Sequence, residues 1–229
     1  MLDKLTDFDL TRQEAAVYLL LYSNPDVTGY EIAKLAGISR SNAYAALSSL
    51  TDKGAARLLE GMPNRYSPVP ADEFCGNKIR RMRKSMDIIV SNMPDVSDPL
   101  SEGYLTIQGD RNIIDTARSM LLKAEKRVYI SVSGSIIGHF TEELCFLTEN
   151  KRKVVIITNP PFDLSGAIIY HSNRQGNQLR LITDSRRVLT GDIDHGKEST
   201  CLLSGKRNLV DVFKEALQNE IKLIELREK

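Results

Sequence analysis

The sequence predicts two domains of different class, an α+β winged helix-turn-helix over residues 1–70 and an α/β domain over residues 103–229. Between them it predicts an amphipathic, coiled-coil-like helix over 71–93 and a linker over 94–102. Three observations lead there. Two Thr-x-x-Glu sequences and two well-placed glycines punctuate the first part, as helix starts and stops require. An apolar repeat of alternating three and four residues follows. Beyond Gly103 short β-branched runs alternate with helical patterns, the texture of an α/β domain.

The composition is that of a globular chain. Its 229 residues are 41% hydrophobic and 27% charged, which excludes a disordered or collagen-like protein. Apolar runs such as Val154 to Ile157 are far short of the ~20 residues that cross a bilayer. Met1 to Asp7 has neither the basic start nor the apolar core of a secretory signal. Cys75, Cys145 and Cys201 are far apart and form no Cys-x-x-Cys. They are expected to be reduced thiols of a cytoplasmic protein. The net charge of +1 creates no general attraction for nucleic acid or membrane, so DNA binding requires a local basic surface.

In the first part, Thr11-Arg12-Gln13-Glu14 fits a capping box and opens a helix to about Tyr22, striped by Ala15, Tyr18, Leu19 and Tyr22. Thr28-Gly29-Tyr30-Glu31 opens a second, with Ile32, Ala33, Leu35 and Ala36, and Gly37 supplies a sharp turn. Ser39 caps a third helix whose Ala43, Ala46, Leu47 and Leu50 point to one side. Gly54 closes it after Lys53, a cation where the helix dipole favours one. A short helix, a tight turn and a longer helix make a helix-turn-helix. Ala55 to Leu59 and Arg65 to Val69 read as strands around the turn Gly61-Met62-Pro63-Asn64. A hairpin in that position is a wing, and such a domain carries its third helix into the major groove.

Phe8 to Ala15, Ile32 to Ser41, Asn42 to Leu47, Leu50 to Gly54 and Arg65 to Pro70 resemble the DNA-binding domain of TrmB-family transcriptional regulators. The resemblance covers about residues 5–72. It departs from the family's usual Leu-Val at Ala55-Ala56, and Asn42 and Ala45 are smaller or less charged than is common there, which leaves the base preference open. It implies a regulator that binds double-stranded DNA. With the core positions of the third helix turned inward, Arg40, Ser41, Asn42, Tyr44 and Ala45 face out near its start. Arginine takes guanine or phosphate, asparagine takes adenine, and hydroxyls take either. The unpaired N–H groups at Ser39 to Ser41 favour a phosphate. Asn64 and Arg65 at the wing turn and Arg57 on the opposite strand suit adjacent phosphates or the minor groove. The candidate DNA-binding set is Thr28, Ser39, Arg40, Ser41, Asn42, Tyr44, Arg57, Asn64 and Arg65. From Thr28 to Pro70 five basic residues face three acidic ones, too small an excess for tight non-specific binding.

Cys75, Ile79, Met82, Met86, Ile89 and Met93 are spaced 4, 3, 4, 3 and 4, the alternation of a coiled-coil seam. Ile79, Met82, Met86, Ile89 and Met93 are the candidate dimerisation residues of a homodimer. The competing reading is a helix packed on its own domain, for which methionines are equally suited. Lys78 to Lys84 places five cations round the seam, either a solvated face or a contact with flanking DNA.

In the third part, strands are expected at Tyr104–Gln108, Val128–Val132, Val154–Thr158, Leu179–Asp184, Arg187–Gly191 and Thr200–Leu203. Helices are expected at Asn112–Ala124, about Gly138–Glu149 and Asn208 to about Glu225. The last carries an apolar face of Leu209, Val212, Phe213, Ala216, Leu217, Ile221 and Ile224.

This order, with Asp184 and Gly191 at Asp-x6-Gly spacing, resembles the phospholipase-D-like domain found in many TrmB-family regulators. In that register the nucleophilic histidine and phosphate-binding lysine fall on Asn177 and Leu179, and the serine on Asp192. An amide is a poor phosphoryl acceptor and leucine cannot neutralise a phosphate, so no catalytic residue is expected. His195-Gly196-Lys197 has His-x-Lys spacing, but its aspartate position is Leu202, and it reads as a polar hairpin turn. His139, His171 and His195 lack metal-ligand spacing, so neither a metal nor a cofactor is expected. Ser133-Gly134 and Ser204-Gly205 follow strands; they read as plain turns or, less simply, as anion cradles. Two functions follow: a dimeric DNA-binding regulator whose second domain senses a small molecule (a sugar, by the resemblance) or only dimerises, or a DNA-directed phosphodiesterase or nuclease.

Overall fold

A computed structural model describes residues 1–94, 103–172, 176–193 and 199–227. They form two compact units, one within Met1–Asp95 and one within Val96–Lys229. Of the linker expected over 94–102, only position 94 is among the described residues.

The first unit begins with a short helix α1 (Leu2–Thr6) that the sequence pattern does not reveal. Helix α2 (Arg12–Ser23) starts at Thr11, and α3 (Gly29–Ala36) at Thr28. Both capping boxes form: each threonine hydroxyl accepts from the N–H three residues on, and the glutamate there accepts from the threonine N–H. Each pair satisfies donors that would otherwise be orphaned, a contribution of about 1 kcal/mol. Gly37, at φ 65°, makes the left-handed turn into α4 (Arg40–Asp52), which is capped by Ser39. Gly54, at φ 77°, and Ala55 close α4 by donating to the carbonyls of Thr51 and Leu50. Strands β2 (Ala56–Leu59) and β3 (Arg65–Pro68) form the wing. A two-residue strand β1 (Val27–Thr28), absent from the sequence reading, pairs with the other side of β3.

Ile32, Ala43, Ala46, Leu47 and Leu50 enter the core as their spacing predicts. On α2 the inward stripe is turned: Val17 and Leu21 are buried with Ala15 and Tyr18, while Tyr22 is exposed. The reason is tertiary. The Tyr18 hydroxyl donates to the Val69 carbonyl, and the Tyr22 hydroxyl accepts from the Ala71 N–H, so α2 presents a polar edge to the strand leaving the wing.

Helix α5 (Ala71–Asn92) is docked only by its beginning. Phe74 is buried, with its ring 6.4 Å from that of Phe8 and 5.8 Å from that of Tyr18. Lys78 pairs with Asp9 at 2.8 Å and Arg81 donates to the Lys53 carbonyl at 3.3 Å. From Ile79 to Met93 every residue is exposed.

The second unit is a seven-stranded sheet in the order β4-β10-β9-β8-β5-β6-β7. Its strands are β4 (Tyr104–Gln108), β5 (Arg127–Ser131), β6 (Lys153–Thr158), β7 (Ile168–His171), β8 (Gln178–Thr183), β9 (Arg187–Asp192) and β10 (Thr200–Ser204). The β5–β6 and β6–β7 pairs are parallel and the others antiparallel. Both faces are covered, which explains the uninterrupted run Val154–Ile157. Alternate residues Ile156 and Leu181 meet Ile113 and Leu121 of α6 (Asp110–Leu122) and Leu144 of α8 (Thr141–Glu149). Ile157 and Ile182 meet Val210, Leu217 and Ile224 of α9 (Arg207–Arg227).

Three expectations are corrected here. The helix foreseen over Gly138–Glu149 is interrupted: α7 (Gly134–Ile137) and a single 3₁₀ turn (Gly138–Phe140) precede α8. Strand β7 was not foreseen, because it is a half-buried edge strand with no alternation. On α9 the buried face includes Val210, whereas Val212 and Ala216 are exposed. A helix covering a twisted sheet is buried along a narrower stripe than a complete apolar face. Among the described residues no helix is long and apolar enough to cross a membrane.

Candidate nucleic-acid interface

The first turns of α4 carry most of the candidate residues. Ser39 is exposed, and its hydroxyl accepts from the Asn42 N–H at 3.2 Å, which holds the helix start in place. With Ala43, Ala46, Leu47 and Leu50 buried beneath, Arg40, Ser41, Asn42, Tyr44 and Ala45 are exposed together. The Arg40 guanidinium lies over the Tyr30 ring, 4.4 Å from its centroid. Tyr30, on α3 and itself exposed, was missed in the sequence reading. Its pairing with Arg40 depends on the angle between two helices, which no sequence spacing encodes. Tyr44 closes over the start of α3: a Cβ added to Gly29 would come within 2.4 Å of its ring. The backbone of Gly29 thus allows the two helices to approach.

Thr28 does not belong to this surface. It is buried, and its hydroxyl accepts from the Glu31 N–H while donating to the Glu31 carboxylate. Both hydrogen-bonding functions are spent within the capping box, so the side chain is not available to a base or phosphate.

The wing residues are exposed, but each is engaged. Arg57 pairs with Glu73 of α5 at 2.9 Å. Arg65 donates to the Asp26 carbonyl at 2.7 Å and lies 3.4 Å from its carboxylate. The Asn64 side-chain oxygen accepts from the Gly61 N–H and shapes the turn. Exposed ion pairs of this kind contribute about 0–1 kcal/mol, and a phosphate competes with such carboxylates for the guanidinium.

Beneath the surface, Glu14 anchors α2 to α4. Its carboxylate accepts from Ser49 at 2.6 Å, Lys53 at 2.7 Å and the Thr11 N–H at 2.7 Å. Burial raises its pKa, but these hydrogen bonds and the Lys53 charge prevail and pull it down to about 2. Lys53 therefore serves the anchor as well as the helix end.

Along α5, Ile79, Met82, Met86, Ile89 and Met93 lie on an exposed face, each at least half accessible. A groove of ≈ 480 Å³ runs beside Met82, Met86 and Ile89. Of the charge run, Lys78 and Arg81 are used to fasten the helix to its own domain.

In the second unit, Leu179 is fully buried in the core. Asp184 has an architectural role. Its carboxylate accepts from the backbone N–H groups of Glu125, Lys126 and Arg127 at 2.9, 2.7 and 2.9 Å. Burial raises its pKa, but these bonds and the Arg186 charge outweigh it, and the group is held below its usual range. Gly191 is needed for close approach: a Cβ there would lie 2.1 Å from the Thr200 carbonyl oxygen. The Gly134 N–H donates to Asn159 and the Ser204 hydroxyl donates to the Gly103 carbonyl, so both Ser-Gly turns are internally bonded. Asp194, His195 and Lys197 lie outside the described residues. Among the described residues no cluster of three or more His, Cys, Asp or Glu could hold a metal ion.

Residues 5–72 match the sequence model of the family described as "Sugar-specific transcriptional regulator TrmB". The chain is 25% identical over 239 residues to the uncharacterized protein YrhO of Bacillus subtilis (strain 168), covering 100% of this chain and 87% of that one. It is 28% identical over 164 residues to the HTH-type sugar sensing transcriptional regulator TrmBL1 of Pyrococcus furiosus. That match covers 69% of this chain and 46% of the relative, so it spans under half the relative's length. Among solved structures it is similar to TrmBL2, described as an archaeal chromatin protein with a novel mode of DNA binding, at a TM-score of 0.48 and 18% identity. That likeness covers 97% of this chain and 96% of the other. NucT from Helicobacter pylori is similar at a TM-score of 0.43 and 12% identity, over 52% of this chain and 97% of that one.

Proposed function

We propose that this chain, whose residues 5–72 match the TrmB family model, is a sequence-specific, DNA-binding transcriptional regulator acting as a dimer. The second unit serves as a non-catalytic sensor or dimerisation domain. One observation carries the reading: α4 buries its whole inner face and leaves Arg40, Ser41, Asn42 and Tyr44 exposed together at its start. A helix so placed, flanked by a wing with Arg57, Asn64 and Arg65, suits major-groove readout with phosphate contacts alongside.

Dimerisation through α5 is supported by the exposed face from Ile79 to Met93, whose three-and-four repeat matches a coiled-coil seam. Water on so many methionine and isoleucine side chains is unfavourable, and a second copy of the helix offers the same repeat in return. The hydrolytic alternative is disfavoured by Leu179, which is packed in the core where a cation would have to meet the phosphate.

The test is selection from a random duplex library with the full chain. The expected product is a two-fold site with half-sites about one helical turn apart, bound with strong salt dependence. Arg40→Ala should weaken it by about 1–3 kcal/mol if the side chain pairs with a base. Failure to enrich any sequence, with undiminished binding by Arg40→Ala, would overturn the reading.

A further inference from the structure

We infer that the second unit binds a small phosphate-bearing molecule at the sheet end where β8 turns into β9. Two neighbouring clefts, of ≈ 230 and ≈ 290 Å³, open there and share Glu125, Asp184 and Arg186. Into them converge Lys123 from the end of α6, Lys126 and Arg127 from the start of β5, Arg186 and Arg187 from the hairpin, and Lys214 from α9. Six cations face two carboxylates, in a chain whose net charge is only +1.

The two carboxylates offset only part of this set, Asp184 interacting with the Arg186 charge while it also accepts three backbone N–H groups. Among the described residues no ion pair or side-chain hydrogen bond engages Lys123, Lys126, Arg127, Arg186 or Lys214. Elsewhere in the same unit three arginines are paired, Arg118 with Glu143, Arg180 with Glu220 and Arg207 with Asp211, and what sets the cleft cations apart is that they line the same two clefts. Unpaired like charges round a concavity repel one another, and the concavity focuses their field on whatever anion enters. Guanidinium groups beside flexible ammonium groups suit a phosphate's oxygens. Clefts of this size suit a small molecule; a duplex backbone is met along an extended surface.

The site includes Asp184 but lies apart from Asn177 and Leu179, where the resemblance would put the nucleophile and the phosphate-binding cation. Gln178 is paired with Asp192 at one end of the β8–β9 ladder and Thr183 with Arg187 at the other, a separation of roughly 16 Å along the strand. The inference deepens the reading of this unit as a sensor and rests on that reading for its regulatory meaning.

The experiment is calorimetric titration of the full chain with inorganic pyrophosphate, repeated on the Arg186→Ala/Lys126→Ala double variant and on Arg40→Ala. Both cleft residues are exposed, so the fold should survive; Arg186→Gln/Lys126→Gln, with its circular dichroism, guards against misfolding. The expected result is saturable binding at about millimolar or tighter, weakened at least about tenfold in both cleft variants and unchanged in Arg40→Ala. No saturation by about 10 mM, or equal affinity in the cleft variants, would overturn it. A parallel titration with duplex DNA separates the readings. Loss of DNA affinity in the cleft variants without saturable pyrophosphate binding assigns the cations to a DNA backbone and refutes the small-molecule site. Saturable, cleft-dependent pyrophosphate binding by a chain that selects no DNA upholds the site and refutes the regulator.

Discussion

Arg57 on the wing and Glu73 in the first turn of α5 share a forked ion pair, one guanidinium nitrogen lying 2.9 Å from each carboxylate oxygen. The contact occupies one of the two wing arginines proposed to meet a phosphate. Its partners are 56% and 46% exposed, so water already weakens the pair and little stability depends on it.

Glu73→Gln should therefore raise affinity for duplex DNA about two- to fivefold while changing fold stability by less than about 1 kcal/mol. A fluorescence-anisotropy isotherm is the measurement. Unchanged or weaker binding would show that Arg57 does not reach the DNA.

Glu14→Gln should destabilise the first unit by about 2–3 kcal/mol at neutral pH, because it leaves Lys53 half-buried without its carboxylate. The pH dependence has a definite sign. Glu14 has a folded pKa of about 2 against 4.5 for the free group, so its contribution is present above about pH 4.5 and is lost as pH falls toward 2. Urea unfolding of the two proteins should differ at pH 7 and converge near pH 2. A gap that stays constant over that range would mean the carboxylate charge is not what stabilises.

Replacing Met82 and Met86 together with glutamate places like charges on the exposed seam of α5. Light scattering should report a dimer for the parent chain and a monomer for the double variant, with helicity near that of the parent because both side chains are already in water. A monomeric parent, or an unaltered mass, would refute dimerisation through this helix.

Gly191→Ala forces a methyl group against the Thr200 carbonyl and the backbone of Cys201, at a cost of about 1–3 kcal/mol to the second unit. Asp184→Ala strands three backbone donors and should cost about 1–3 kcal/mol for each one left buried. Thermal unfolding measures both. Parent-like stability would mean that this aspartate and glycine are not architectural.

Helix starts and stops were legible because their determinants are local. Thr11 meets Glu14, Thr28 meets Glu31 and Ser39 meets Asn42 three residues along the chain, a distance that the sequence states directly. The third helix was legible for the same reason, its small and apolar residues recurring at helical spacing. Less was legible where an element exists only through its partner. Val27–Thr28 is a strand because it meets Tyr66 and Arg65, and Ile168–His171 is one because it lies along β6. Of the candidate residues, Thr28 is buried in its capping box, and Tyr30, which the sequence reading left out, lies under Arg40.

What the sequence by itself determined is the order of elements, their capping and the outward character of Arg40, Ser41, Asn42 and Tyr44, since each depends on neighbours within one helical turn. What only the tertiary structure decided is which face of α2 and α9 is buried, where the cations of the second unit converge, and that Arg57 and Arg65 are held by carboxylates. Those pairings join residues 16 and 39 positions apart. The physical reason is range: backbone caps and helical stripes are set by contacts a few residues away, whereas packing faces and long-range ion pairs exist only once the chain has closed on itself.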